Sequence, residues 1–194
     1  MIKPRLIVCL LLKGGLLMRS ELFHIHQAIG NPIDTVHRLS NWNVDELIVL
    51  DIGEDSVQDM RRDDLRVKYV GQTFPSLLSQ ISEVCMMPLS VGGHIRNIED
   101  ISSRLSAGAD KVVINTASVE TPDFIEEASS RFGSQCIVVS IDVKINELGT
   151  YEVYTNRGET RTHIHPVDHA RNMEMRGAGE IFLNSIDRDG IASG

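Results

Sequence analysis

One pattern recurs along the chain, and it restricts the possible folds more than any other feature. A small-residue corner leads into a short apolar run that ends in polar residues, most clearly over positions 177–190. The same order occurs at 108–118, and a shorter form occurs at 44–53. Apolar runs of this kind are typical of parallel strands that are buried on both faces. Their repetition, with helical stretches between them, predicts a (βα) barrel.

The pattern predicts six strands and the helices that connect them. The strand candidates are rich in Val, Ile and Leu, and they span 6–12, 47–52, 89–91, 112–115, 137–142 and 181–184. Helices are expected over 34–42, 77–84, 98–107, 122–132 and 166–176, with Thr121 as the N-cap of the fourth. The stretch from 53 to 68 is expected to be a loop. Alternating residues over 144–162 predict a small hairpin inserted after the fifth strand.

Composition and charge argue against several functions. The 194 residues are 42% hydrophobic, which is enough for one domain with a sizeable core. The net charge of -8, with acids and bases interspersed, argues against binding to nucleic acid. No apolar segment approaches the roughly 20 residues of a membrane span. Three scattered cysteines, Cys9, Cys85 and Cys136, indicate reduced core residues in a cytoplasmic protein. His163 and His165 lack a third ligand at suitable spacing, so we expect no metal.

Alternation within the predicted strands aligns four charged residues. On one face of four strands, Arg5, Glu46, Lys111 and Glu180 stand at the strand entrances, followed by apolar and then polar residues. Two acids and two bases in one ring could neutralise one another at the bottom of a barrel. Charges at strand starts could equally lie in solvent without a partner. The residues alone leave both interpretations open.

Polar groups at the strand exits are candidates for binding and chemistry. Gly92 and Gly93 connect a strand to a helix start, where backbone N–H groups can close on a phosphate. Asn115 and Thr116 follow the next strand and offer further donors. Asp142 ends the fifth strand, where a carboxylate can act as a general acid or base, or simply cap a loop.

Across these motifs the chain resembles the cyclase subunit of imidazole glycerol phosphate synthase. The similarity covers essentially the whole sequence and is most specific at 45–52, 88–96, 108–115, 132–144 and 177–190. It implies a (βα)8 TIM barrel of histidine biosynthesis, a lyase that uses no cofactor. It also implies a heterodimer with a glutaminase (glutamine amidotransferase) subunit. Ammonia from that partner would enter the barrel at its bottom and react at its top with a phosphorylated small molecule.

The resemblance also implies roles for individual residues. By this comparison Arg5, Glu46, Lys111 and Glu180 gate the entry of ammonia, and Asp142 is catalytic. Phosphate and substrate binding is implied for a larger set: Arg19, Gly92, Gly93, Asn115, Thr116, Asp189 and Gly190.

Three positions depart from the family pattern. Leu11 stands where the family has its second catalytic aspartate, and losing such a group typically costs about 10²–10⁴ in rate. Arg19 replaces a lysine of the first loop, and His94 replaces the third glycine of the phosphate turn. The sequence over 10–13 looks more like a paralogue encoded with surface-polysaccharide genes and associated with amidation of sugars.

We therefore expect such a paralogue, which adds ammonia to a phosphorylated or nucleotide-linked acceptor. A genuine histidine-pathway cyclase that tolerates Leu11 is one alternative. A non-catalytic ammonia conduit or glutaminase activator is the other.

Length is a further departure. The family barrel has eight strands, whereas this sequence stops just after the sixth. We expect a single incomplete barrel domain over residues 1–194, truncated after strand six, with open sheet edges.

Overall fold

The computed structural model describes residues 4–54, 57–58 and 72–192, and these residues form a mixed α/β structure. Most of the loop expected at 53–68 lies outside them. The strands are β1 (Ile7–Lys13), β2 (Leu16–Glu21), β3 (Ile25–Gly30), β4 (Glu46–Asp51), β5 (Val57–Gln58), β6 (Gln72–Thr73), β7 (Leu89–Gly92), β8 (Lys111–Ile114), β9 (Ile137–Ile145), β10 (Tyr151–Thr155), β11 (Thr160–Arg161) and β12 (Glu180–Ser185). The helices are α1 (Pro32–Asn41), α2 (Phe74–Val84), α3 (Ile98–Ser106), α4 (Thr116–Glu120), α5 (Asp123–Phe132) and α6 (Pro166–Met175).

All six predicted strands are present, as β1, β4, β7, β8, β9 and β12. Strand β4 pairs in parallel with β1 and β7, and β9 pairs in parallel with β8 and β12. Helices alternate with these strands along the chain. The predicted class, α/β of the (βα)8 TIM-barrel type, is confirmed.

The described residues form two compact units. The first comprises Met1–Arg19, Gln27–His94 and Glu99–Asp110. Within it, one face of the β1–β4–β7 sheet packs against α1 and α2, because alternate strand residues and the apolar helix faces meet there. The fully buried members of this core include Leu12, Val36, Leu47, Val49, Leu77, Leu78, Ile81 and Val91.

The second unit comprises Ser20–His26, Ile95–Ile98 and Lys111–Gly194. Its central strand is β9, a nine-residue strand whose first seven residues are all buried. In the stretch where a hairpin is expected, β10 runs antiparallel to the end of β9, and β11 runs antiparallel to β10. Positive φ angles at Asn156, Arg157 and Gly158 make the predicted turn.

Several local predictions are wrong. Thr121 is not the N-cap of α5, because the unpredicted α4 ends there and Pro122 takes the N-cap position. The first loop contains an unpredicted strand, β2, which turns back on β1 through Gly14 and Gly15, both at positive φ. Cys9 is exposed rather than part of the core. No helix among the described residues is both long and apolar enough to cross a membrane.

Candidate functional site

Strand register in the second unit brings three polar residues to one face. Asn184 of β12 is the register partner of Asp142 of β9, and Phe182 is the partner of Ser140. Partners in a parallel pair point to the same side of a sheet. Asn115, at the end of β8, reaches the same face, since its side-chain amide donates to Asp142. Asp142 therefore lies between two asparagines contributed by its neighbouring strands.

The Asp142 carboxylate is buried, with only 8% of the residue exposed. Asn115 Nδ2 donates to its Oδ2 at 3.0 Å, and Asn184 Nδ2 donates to its Oδ1 at 3.2 Å. Burial raises the pKa of Asp142 to about 6, because it disfavours the charged form more than the two amides favour it. The negative charge of Asp189 raises this pKa further. A carboxyl group that titrates near neutrality can both take up and release a proton at physiological pH.

Position 11 supplies no second ionisable group. Leu11 lies in β1 of the first unit, in register with Leu50 of β4 and Met18 of β2. It is half-buried among apolar strand residues. Asp142 is thus the residue of the predicted catalytic pair that can move a proton.

Asn115 and Thr116 are placed by contacts on both sides of the β8 exit. The Asn115 amide also donates to the backbone carbonyl of Ser140, at 3.1 Å, which fixes its direction. The Thr116 hydroxyl accepts the backbone N–H of Asn156 at 3.3 Å. Because Asn156 belongs to the β10–β11 turn, the inserted hairpin lies directly against this predicted phosphate-binding pair.

Asp189 holds an earlier segment of the chain in place. Its carboxylate accepts from Ser20 Oγ at 2.6 Å and from the backbone N–H of Phe23 at 3.0 Å, and its carbonyl accepts the N–H of Leu22. Leu22 and Phe23 both have positive φ, so these bonds stabilise a turn that L-residues rarely adopt. Gly190 lies so close that a Cβ there would be 2.0 Å from the Ser20 carbonyl oxygen. A phosphate at this position would have to use the backbone N–H groups, since the carboxylate is an acceptor.

Gly93 makes the tightest approach in the first unit. A Cβ at this position would lie 2.2 Å from the carbonyl oxygen of Asp51. The carbonyl of Gly93 accepts from the buried Arg104, at 3.4 Å, and that guanidinium lies over the Phe74 ring. Burial lowers the pKa of Arg104. Gly92 is buried at the end of β7, whereas Arg19 is exposed on β2.

Each unit contains one acid–base pair from the predicted ammonia gate. In the first unit Arg5 forms an ion pair with the buried Glu46. In the second unit Lys111 Nζ donates to Glu180 Oε1 at 2.7 Å, with both side chains mostly shielded from solvent. The charges at the strand entrances therefore pair within each unit, and they are not isolated in solvent. Their role as a gate stays a prediction.

Sequence reasoning missed Asn184 and Ser20 as site residues. Asn184 was the polar residue at the exit of the sixth strand, on the face that carries Glu180, so alternation alone could have found it. Ser20 has no comparable signal, because it meets Asp189 only through a fold contact between residues 169 positions apart. Within the described ranges no group of His, Cys, Asp or Glu residues is arranged to hold a metal ion.

Comparison with known proteins identifies relatives of this chain. The sequence pattern of a family described as "Histidine biosynthesis protein" matches residues 5–194. "Putative imidazole glycerol phosphate synthase subunit hisF2" of Vibrio vulnificus is 42% identical over all 194 residues. "Imidazole glycerol phosphate synthase subunit HisF" of an Exiguobacterium species is also 42% identical over 194 residues. The chain spans 66% of the first relative's length and 71% of the second's.

Proposed function

Because the chain belongs to the histidine biosynthesis protein family, among its HisF members, we propose that it carries ammonia from a glutamine amidotransferase partner to a phosphorylated or nucleotide-linked acceptor. Leu11 in place of an aspartate favours a surface-polysaccharide paralogue that amidates a sugar. In this role the chain is an enzyme subunit, and Asp142 is its proton carrier.

The observation that carries the proposal is the layout of one face of the second unit. Strands β8 and β12 begin with the Lys111–Glu180 ion pair and end with two amides on Asp142. Asn184 lies four residue steps beyond Glu180 in β12, a rise of about 13 Å along one face of the strand. A charged entrance and a proton-transfer group at opposite ends of the same strands are the parts that ammonia transfer needs.

The chemistry at Asp142 follows from its pKa. When the ammonia nitrogen forms a bond to an electrophilic carbon, it must lose a proton to become a neutral amine or amide. A carboxylate whose pKa is about 6 is mostly ionised at pH 7 and can take that proton. It can then return the proton to a leaving oxygen, because the protonated form is also accessible. Within the second unit, the hydroxyl of Thr116, next to Asn115, would donate to a phosphate. Within the first unit, the backbone N–H groups of the turn at Gly93 would do so separately.

The first unit offers an apolar surface at its strand entrances for the partner. Trp42, just before β4, is 70% exposed. Met86, just before β7, is 82% exposed. The hydroxyl of Ser40, two residues before Trp42 in the chain, accepts the Met86 N–H. Exposed Trp and Met side chains are frequent anchors of protein interfaces, and we assign this pair to the glutaminase interface.

The test measures nitrogen transfer in the complex with the glutaminase of the same organism. With amide-¹⁵N glutamine, mass spectrometry should find one ¹⁵N in a nucleotide-linked sugar or another phosphorylated acceptor. Lys111→Met should lower glutamine-dependent transfer roughly tenfold, about 1.4 kcal/mol, yet leave transfer from added ammonium salt nearly unchanged. Arg171→Met, on the exposed surface of α6, is the matched control. Equal losses with both nitrogen sources would contradict a gating role for Lys111.

Two other functions are tested by related measurements. The HisF names of the relatives favour a histidine-pathway cyclase, and normal growth of a complemented histidine auxotroph would support it against the sugar-amidation proposal. Leu11 favours a non-catalytic conduit. That function predicts stimulated glutaminase turnover with ¹⁵N released only as free ammonia.

A further inference from the structure

A serine and a histidine that are not part of the predicted site lie directly behind it. Ser118 of α4 is fully buried, and His169 of α6 is 4% exposed. Ser118 Oγ and His169 Nε2 are 3.2 Å apart. Both belong to the second unit, and Ser118 lies on the helix that directly follows β8. Polar side chains buried this deeply are costly unless their hydrogen bonds are satisfied.

The hydrogen bonds around Ser118 define the direction of this pair. Ser118 Oγ donates to the backbone carbonyl of Asn115, at 2.6 Å, which uses its single proton. The serine oxygen must therefore accept from His169, so the neutral imidazole carries its proton on Nε2. Burial lowers the pKa of His169, which keeps the ring neutral at physiological pH. His169 orients the hydroxyl, and the hydroxyl holds the Asn115 carbonyl.

Asn115 connects this serine–histidine pair to Asp142 through its hydrogen bonds. Its carbonyl accepts from both the hydroxyl and the backbone N–H of Ser118, so two bonds fix the main chain at the end of β8. Its side chain then donates to the Asp142 carboxylate. That bond lowers the pKa of Asp142 against the effect of burial. A main chain that moves at Asn115 would lengthen the bond and change the proton affinity of the carboxyl group.

We propose that Ser118 and His169 are positioning residues that set the proton affinity of Asp142 by fixing Asn115. The inference rests on the proposed function for its kinetic consequence only. Neither residue is expected to touch the acceptor, because both side chains are buried.

The first experiment uses the full chain in complex with its glutaminase. Ser118→Ala and His169→Leu should each lower kcat for transfer about fivefold with KM changed less than twofold, since misplacement affects the chemical step rather than binding. His169→Gln should restore most of kcat, because its amide can donate to Ser118 from a similar distance. Met173→Ala is the control: it truncates another fully buried residue of α6 and should lower Tm without changing the pH profile of kcat.

The second experiment does not need activity. The side-chain amide signal of Asn115 in ¹⁵N NMR should report the Asp142 titration, with a midpoint at about pH 6 in the parent protein. In Ser118→Ala and His169→Leu the midpoint should rise by about half a pH unit, because a hydrogen bond to the ionised form is weakened. His169→Gln should return the midpoint to that of the parent.

The double variant separates positioning from stability. Ser118→Ala with His169→Leu removes both polar partners, so its Tm should recover relative to either single variant. Its Asp142 midpoint should stay raised. Midpoints that follow Tm across the whole series, or that do not move in the single variants, would overturn the inference. If the parent complex shows no transfer activity but the Asp142 midpoints of the single variants still shift, the proposed function is refuted. The positioning role then remains intact.

Discussion

The raised pKa of Asp142 predicts a specific pH dependence of stability. Its pKa rises from an ordinary 3.8 to about 6 in the folded chain, and only 8% of the residue is exposed. Well below pH 3.8 the carboxyl group is protonated in both the folded and the unfolded state, so its ionisation does not lower the free energy of unfolding. As the pH rises through about 6, the folded state must ionise a buried carboxyl, and the stability present at low pH is lost. At about 1.36 kcal/mol per pKa unit, this loss is about 3 kcal/mol by pH 7.5.

Asp142→Asn isolates the contribution of this one group. The new side-chain amide has the same volume as the carboxyl group but does not titrate. Its NH₂ group faces the NH₂ group of Asn115 or Asn184, which lowers stability by an amount that does not vary with pH. The free energy of unfolding of the variant minus that of the parent should therefore rise by about 2.5 kcal/mol between pH 4 and pH 7.5. Urea denaturation followed by circular dichroism at several pH values measures this difference.

A control on the same strand checks the assignment to Asp142. Val138→Ala removes a buried apolar group from the same face of β9, so its difference from the parent should be constant with pH. A constant difference for Asp142→Asn as well would refute the reasoning, since burial would then not control the ionisation of this carboxyl. If the difference in free energy of unfolding instead falls as the pH rises, the hydrogen bonds from the two asparagine amides outweigh burial in setting the pKa of Asp142.

Two further predictions concern the first unit. Gly93→Ala should destabilise the chain by about 3 kcal/mol or more in urea denaturation, because its Cβ would overlap the Asp51 carbonyl at φ +102. Gly149→Ala, at φ +77 with open space around it, should cost only about 1 kcal/mol, and equal losses would contradict the close approach. Trp42→Ala should weaken glutaminase binding at least about tenfold in calorimetric titration with Tm unchanged. The control Leu148→Ala, 87% exposed on the hairpin, should have no effect, and unchanged binding in Trp42→Ala would exclude this surface.

Local sequence was sufficient for the strands and for their faces. Runs of Val, Ile and Leu located all six parallel strands, because burial on both sides leaves few other residue types possible. Alternation then placed Glu180 and Asn184 on one face of β12, as the register with β9 shows. The same reasoning missed β2, since a turn through two glycines can lead into either a loop or a strand. It also placed the N-cap of α5 one residue early, at Thr121, because it did not anticipate α4.

The sequence by itself determined the order of strands and helices and the residue types at each strand end, because these depend on periodicities of a few residues. Only the tertiary structure decided how these residues act. Asp142 gains its two amides from residues 27 and 42 positions away, and Ser118 meets His169 across 51. Proton affinity depends on burial and on hydrogen-bond partners, and both exist only once distant segments have packed into register.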